Sequence, residues 1–370
     1  MATSICTGGF RLVGAGSVRS MTAAMDPQRR GQLLGIKLRA LVSDHVGRVI
    51  EAEPVPLLGG SALVDANAAW VLVDGDASRL LGASLAWAIR HGATALNVVA
   101  DAGGGTVARR AEMFNFPINV WFPEDRTLLP AIAEQLPERR SASTDNPDLI
   151  EMITTSGATV NVEHGIVAGE VRGLEICRIV DQPTVGFFAE LSDVVMPAVP
   201  TGGAFDRGEG VRLEVGVGAA DREAFQMLHG DLPTAEALTS VVATVITHRS
   251  AAARQHPLNR LGAERYLRWE AEQDPGRVGL ASLASVEPPA PRPNLKDPIP
   301  CVAAGATHDD QAVHVVFSSG VDLDAIPFVA DVQRLVGTPV RLAVPARDLV
   351  PVTRDMAELL LNPIELIALD

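Results

Sequence analysis

Two hydrophobic periodicities alternate along residues 69–122. AAWVLVDGD, TALNVVAD and INVWFP are short apolar runs, whereas LLGASLAWAIRHG and TVARRAEMFNF carry apolar residues at helical spacing, so the stretch predicts strand, helix, strand, helix, strand. Leu81, Leu85 and Ile89 share one helical face, and Gly92 stands where a left-handed C-terminal cap belongs. ALNVVA is almost continuously apolar, the pattern of a strand covered on both faces. The same order returns near the C-terminus as AVHVVFSSG, DAIPFVADVQRLVG, TPVRLAVPA, PVTRDMAELLL and IELIAL, with Phe328, Val332 and Leu335 as the stripe and Gly337 as the cap. Even the lead-ins echo each other, PVPLLGG at 54–60 and PIPCVAAG at 298–305. The predicted fold class is therefore α/β: two related three-layer units with mixed or parallel sheets, flanking a central α+β segment. Residues 298–370 are expected to be an internal repeat of 54–122.

Composition changes then place the boundaries. Residues 1–25 hold Arg11 and Arg19 but no acid before Asp26, and lack the apolar core of a secretory signal. They read as a disordered leader, or as the product of a start codon set too early, with Met21 or Met25 as the alternative. The N-terminal unit, 26–135, opens with Asp26 as a cap, Pro27 in the first turn, and Leu34, Leu38 and Leu41 on one face. Residues 136–149 are polar and turn-rich and read as a linker. The central region, 150–274, begins as a meander with Gly165 and Gly173 at its turns, passes a less ordered stretch at 197–210 and the strand VRLEVGVG, and ends in helices. Residues 275–297 are proline-rich and expected to be an extended connector to the C-terminal unit, 298–370.

At 370 residues the chain suits two or three domains, and 47% hydrophobic with 21% charged residues marks it as soluble and globular. A net charge of −14 excludes a surface built throughout for a polyanion and leaves room only for a local basic patch. Lys37 and Lys296 are the only lysines among 31 basic residues, a coding bias rather than recognition chemistry. Cys6, Cys177 and Cys301 are far apart and odd in number, which fits a reducing compartment. No run reaches the length of about 20 apolar residues that a membrane span needs. The expected setting is the cytoplasm, without a membrane partner.

Three stretches are candidates for chemistry. Arg249, Arg254, Arg260, Arg265 and Arg268 crowd one segment against a single acid, Glu264, with Tyr266 and Trp269 among them. They form a candidate phosphate- or nucleic-acid-contacting surface, or else partners for the chain's many carboxylates. Glu163, Glu170, Glu175 and Glu214, with His164 beside the first, lie on strands and would hold a divalent metal if they converged. The alternative is pairing with neighbours such as Arg172, Arg178 and Arg212. In VRLEVGVGAAD, Gly216 and Gly218 follow a strand and precede a helix, so backbone N–H groups there can approach an anion. Glu214, Gly216 and Gly218 resemble the first motif of S-adenosylmethionine-dependent methyltransferases, although Ala220 replaces the third glycine and Asp221 puts a carboxylate at the helix start, where it serves equally as a cap. DAGGGT at 101–106 also joins strand to helix but lacks the Lys and Ser/Thr of a phosphate loop. No serine elbow and no His-Glu-x-x-His is present.

RLEVGVGAADREAFQMLHGDLPT, HPLNRLGAERYLRW and PRPNLKDPIP resemble stretches of an uncharacterised protein family from actinobacteria, which implies a bacterial cytoplasmic protein and brings no activity. More distantly, the order helix, three strands, helix, strand over residues 27–100 is similar to the restriction-endonuclease-like core. Asp65 is the acid on offer there, and the Glu-x-Lys of that core is missing. The reading that follows is a non-catalytic binding or assembly module with an unknown protein partner, nucleic acid as a further partner, and no predicted cofactor. The alternative is a metal-dependent phosphodiesterase or nuclease using a divalent metal, and the third reading is an S-adenosylmethionine-binding, methyltransferase-like protein.

Overall fold

The computed structural model describes residues 26–57, 59–142, 146–180, 211–229, 232–250, 256–292 and 294–370. The chain is an α/β protein with three sheets flanked by helices. Helix α1, Pro27–Val46, starts where the Asp26 carboxylate accepts the Arg29 N–H and stops at Gly47, whose φ of +72° closes a left-handed cap. Strands β1 (Val55–Leu57), β2 (Gly60–Asp65), β3 (Ala68–Asp76), β4 (Ala95–Ala102), β5 (Ile118–Glu124) and β6 (Thr127–Pro130) form the first sheet in that order. Its centre is parallel, β3 to β4 to β5, and its outer pairs are antiparallel.

Side-chain alternation explains why both faces of this sheet are apolar. Trp70, Leu72 and Val99 point to α1, joining Leu38, Leu41 and Val42. Ala69, Val71, Leu96 and Val98 point the other way, to helices α2 (Leu81–Arg90) and α3 (Gly104–Ala111).

The central region holds α4 (Pro147–Thr155), a meander of β7 (Thr159–Glu163), β8 (Ile166–Val171) and β9 (Leu174–Val180), the strand β10 (Arg212–Val215), and helices α5 (Ala219–His229) and α6 (Thr234–His248). Its four strands are antiparallel throughout, and one face packs Leu174, Ile176, Leu213 and Val215 against α4 and α6. The expected loose stretch at 197–210 and residue Arg254 lie outside the described residues.

Helix α7 (Ala263–Gln273) and strand β11 (Ser282–Val286) begin the third sheet, which continues with β12 (Cys301–Ala306), β13 (Ala312–Phe317), β14 (Val340–Pro345) and β15 (Glu365–Leu369). Helices α8 (Ala325–Leu335) and α9 (Pro351–Glu358) cross between the parallel strands. The C-terminal unit thus starts earlier than composition suggested. Residues 275–297, expected as an extended connector, contain β11, and α7 covers the outer face of the third sheet through Leu267 and Ala271. The lead-ins PVPLLGG and PIPCVAAG are not equivalent either, since the first makes β1 and its turn while the second enters β12.

The two outer sheets nonetheless share one topology, with antiparallel β1-β2-β3 matched by β11-β12-β13 and two parallel crossovers after each. They face each other through their crossover helices, and α2, α3, α8 and α9 share a single core containing Leu81, Leu85, Ile326, Val329 and Met356. Residues just past α3 and just past α9 pair antiparallel at Phe114 and Leu360. Asn115 N donates to Leu359 O at 2.6 Å and Leu361 N to Met113 O at 2.9 Å. Among the described residues no helix is long and apolar enough to cross a membrane.

Candidate functional site

On the face of the central sheet away from its core, alternation, together with a register shift between β8 and β9 at Gly169–Glu170, brings Asn161 and Glu163 of β7, Glu170 of β8, Glu175 and Arg178 of β9, and Arg212 and Glu214 of β10 to one surface. In most sheets such a surface would be wet. Here α7 of the C-terminal unit closes the half that carries Glu163 and Glu170, and Arg222 of α5 covers the half that carries Glu175 and Glu214. Glu170, Glu175 and Glu214 are 6–7% exposed, and Arg265 and Arg268 only 3% and 2%.

The four glutamates do converge, but onto guanidinium groups. Arg265 and Arg268, three apart on α7, each bridge Glu163 and Glu170. Arg265 pairs with both carboxylates, and Arg268 reaches Glu170 Oε2 at 3.1 Å and Glu163 Oε1 at 3.5 Å. Asn161 Nδ2 donates to both carboxylates at 3.0 Å. The other half centres on Glu175, held bidentate by Arg178 at 3.1 Å and by Arg222 of α5 at 2.8 Å. Glu214 lies 2.6 Å from Arg212 and 3.8 Å from Arg222. Between the halves sits buried Arg292, 3.9 Å from Glu175.

Burial alone would push the Glu163 carboxyl up, yet Arg265 and Arg268 outweigh it and hold the group at about 2. The same balance, with Arg178 and Arg222, keeps Glu175 low. Burial raises Glu264 and lowers Arg292. It also pushes the thiols of Cys177 and Cys301 up to about 12, so neither is a thiolate near neutral pH.

The arginine stretch is not a surface. Arg249 is fully buried and donates to four backbone carbonyls: Nε to Arg172 O at 2.8 Å, Nη1 to Leu258 O at 2.5 Å and Leu261 O at 2.7 Å, and Nη2 to Gly262 O at 2.8 Å. Its guanidinium also lies 5.3 Å over the Tyr266 ring. Arg172 returns the contact by donating to Arg249 O at 2.7 Å and lies 5.5 Å from the Trp269 ring centroid. The expected phosphate-contacting residues Arg249, Arg265 and Arg268 are therefore structural, because their guanidinium groups are buried and engaged inside the protein, by backbone carbonyls for Arg249 and by Glu163 and Glu170 for Arg265 and Arg268. Of the described members, Arg260 alone is exposed.

For the metal alternative, carboxylates on neighbouring strands do meet, but the oxygens face guanidinium groups. Among the described residues no cluster of three or more His, Cys, Asp or Glu is arranged to hold an ion. The glycine turn is closed by its own helix. Asp221 Oδ2 accepts the Val217 N–H at 2.6 Å, and a Cβ on Gly216, whose φ is +143°, would meet Arg222 N at 2.7 Å. That carboxylate stands where an anion would bind, and β10 belongs to an antiparallel meander instead of the parallel sheet that would receive S-adenosylmethionine. Gly216 and Gly218 serve the turn. Asp65, the acid of the nuclease-like resemblance, holds Arg48 at 2.6 Å.

A second buried network escapes sequence reasoning altogether. At the junction of the two outer units, Arg109 of α3 grips Asp331 of α8 bidentate at 2.9 and 3.2 Å. Arg110 reaches Asp331 at 2.7 Å and Asp324 at 2.9 Å. The only signal was the unusual pair of arginines on a short helix between apolar strands. For the central network, Arg178 and Arg212 were legible as strand neighbours, whereas Arg222 and Arg292 arrive from distant segments.

No family model, no curated protein and no solved structure matches the chain.

Proposed function

We propose that the chain is a non-catalytic binding or assembly module of the cytoplasm. The observation that carries this reading is the use made of its charged residues. Glu163, Glu170, Glu175 and Glu214, the side chains best suited to acid–base or metal chemistry, are engaged by Arg265, Arg268, Arg178, Arg222 and Arg212 in a network that joins the central sheet to the C-terminal unit. The reading carries no nucleic-acid surface at Arg249, Arg265 and Arg268. The shared topology of the outer units supports descent from one duplicated unit, whose two copies now pack through their crossover helices.

A second reading, a metal-dependent phosphodiesterase, is favoured by one fact, the presence of four carboxylates on one sheet face. Incubating the chain with labelled single- and double-stranded DNA and RNA, with and without manganese, separates the two. The assembly reading expects no cleavage beyond the buffer control. Manganese-dependent cleavage that disappears in Glu170→Gln and Glu175→Gln, with both variants folded, overturns it in favour of the enzyme.

A further inference from the structure

The two outer sheets have the same strand order up to β5 and β15, and there they part. In the first sheet β5 is covered by β6, paired antiparallel with Phe122 opposite Leu129 and Glu124 opposite Thr127. In the third sheet β15 pairs with β14 alone among the described residues and forms the edge. Exposed edges template further pairing unless they are blunted by proline, charge, bulges or a covering element. The other described edges are blunted. Strand β1 spans three residues, with Pro54 before it and Pro56 inside it, and β6 ends in Pro130. β7 and β11 lie beside each other, where His164 N donates to Glu287 Oε2 at 2.7 Å just past both strands. β10 is four residues long and carries Arg212 and Glu214.

Between its first residue and Asp370, which follows it and accepts from Arg277 Nη2 at 3.0 Å, strand β15 has no proline, charge or bulge. Glu365 is tied to Arg341 at 2.7 Å on the neighbouring strand, and Leu366, Ile367, Ala368 and Leu369 follow with no proline, no charge and no break in register. We infer that β15 is an interaction surface for a second copy of this chain, paired antiparallel across a two-fold axis at Ile367. The strand is self-complementary in that arrangement. Glu365 falls opposite the partner subunit's Leu369 and Leu366 opposite the partner subunit's Ala368, so no like charges face each other. An isologous contact of this kind closes at two copies and extends both sheets into one. It supplies to β15 the antiparallel neighbour that β6 supplies to β5. The inference rests on the assembly reading and gives it a partner.

Sedimentation velocity of the full chain at micromolar concentration, in moderate salt to screen its net charge of −14, reads the outcome. A dimer is expected. Ile367→Lys and Ile367→Glu should each sediment as monomers, since like charges then meet on the axis, and an equimolar mixture should recover the dimer. Ala368→Glu, on an exposed position, should weaken the dimer while leaving the circular-dichroism spectrum unchanged. A monomeric wild-type chain overturns the inference, and so does a dimer indifferent to all three substitutions or a mixture that fails to re-form it. Loss of self-association leaves the cleavage assay untouched, so the inference and the non-catalytic reading fail separately.

Discussion

Helices α1 and α7 occupy the same place in their units, each covering the outer face of a mixed sheet, yet their charged residues do opposite things. On α1 the side away from the sheet meets solvent, and Arg39 and Lys37 pair with Glu53 at 3.3 Å and Asp101 at 3.5 Å across exposed surface. On α7 the equivalent side is roofed by the central sheet, so Arg265 and Arg268 are buried against Glu163 and Glu170. The same residue types at the same structural station thus differ in what they are worth. A solvated pair contributes roughly 0–1 kcal/mol, while removing one member of a buried pair strands an uncompensated charge.

Arg265→Met tests the buried side of this contrast and should have the largest effect. It leaves Glu163 and Glu170 short of a partner, and urea denaturation should show a loss of about 3–5 kcal/mol. A loss no larger than that of a surface substitution would erase the distinction between the two helices.

Acid should act on the same network by protonation. Glu163 is held at about 2 against an ordinary value of 4.5, so its contribution is complete above about pH 4.5 and is lost as pH falls towards 2. The urea midpoint of the wild type should fall across that window, and that of Glu163→Gln should fall less. Parallel curves would show that Glu163 is not held by Arg265 and Arg268. Arg39→Ala, on the exposed side of α1, should have the smallest effect, about 0.5 kcal/mol or less at moderate salt. A loss comparable to that of Arg265→Met would mean that exposure does not govern these pairs.

How much of this was legible in the sequence follows from the same contrast. Apolar periodicity is local, so the strands around Trp70, Val98 and Val120 and the helix bearing Leu81 and Leu85 could be read directly, as could their counterparts around Val315, Leu342 and Phe328. Burial of charge is a property of the tertiary arrangement and leaves no local trace. Arg265 and Arg268 read as a basic face of a helix because nothing in their neighbourhood announces that a sheet ending about 50 residues upstream will cover them. Assigning α7 to the central region followed from the same blindness, since Leu267 and Ala271 face the third sheet while the arginines face the second. The four glutamates were found as a cluster, but two of their partners, Arg222 and Arg292, lie on segments that only folding brings near. Asp324 and Asp331 likewise meet Arg109 and Arg110 from more than two hundred residues away.

The central claim is that the carboxylates under α7 hold the molecule together. A double-mutant cycle on Glu170→Gln and Arg265→Met, read by urea denaturation, tests it most directly. Each single change should destabilise the chain, and the double variant should lose clearly less than the sum, with a coupling on the order of 1–3 kcal/mol. A stabilised Glu170→Gln, as expected where like charges have been gathered for chemistry at a cost to stability, or additive losses from the two changes, would contradict it.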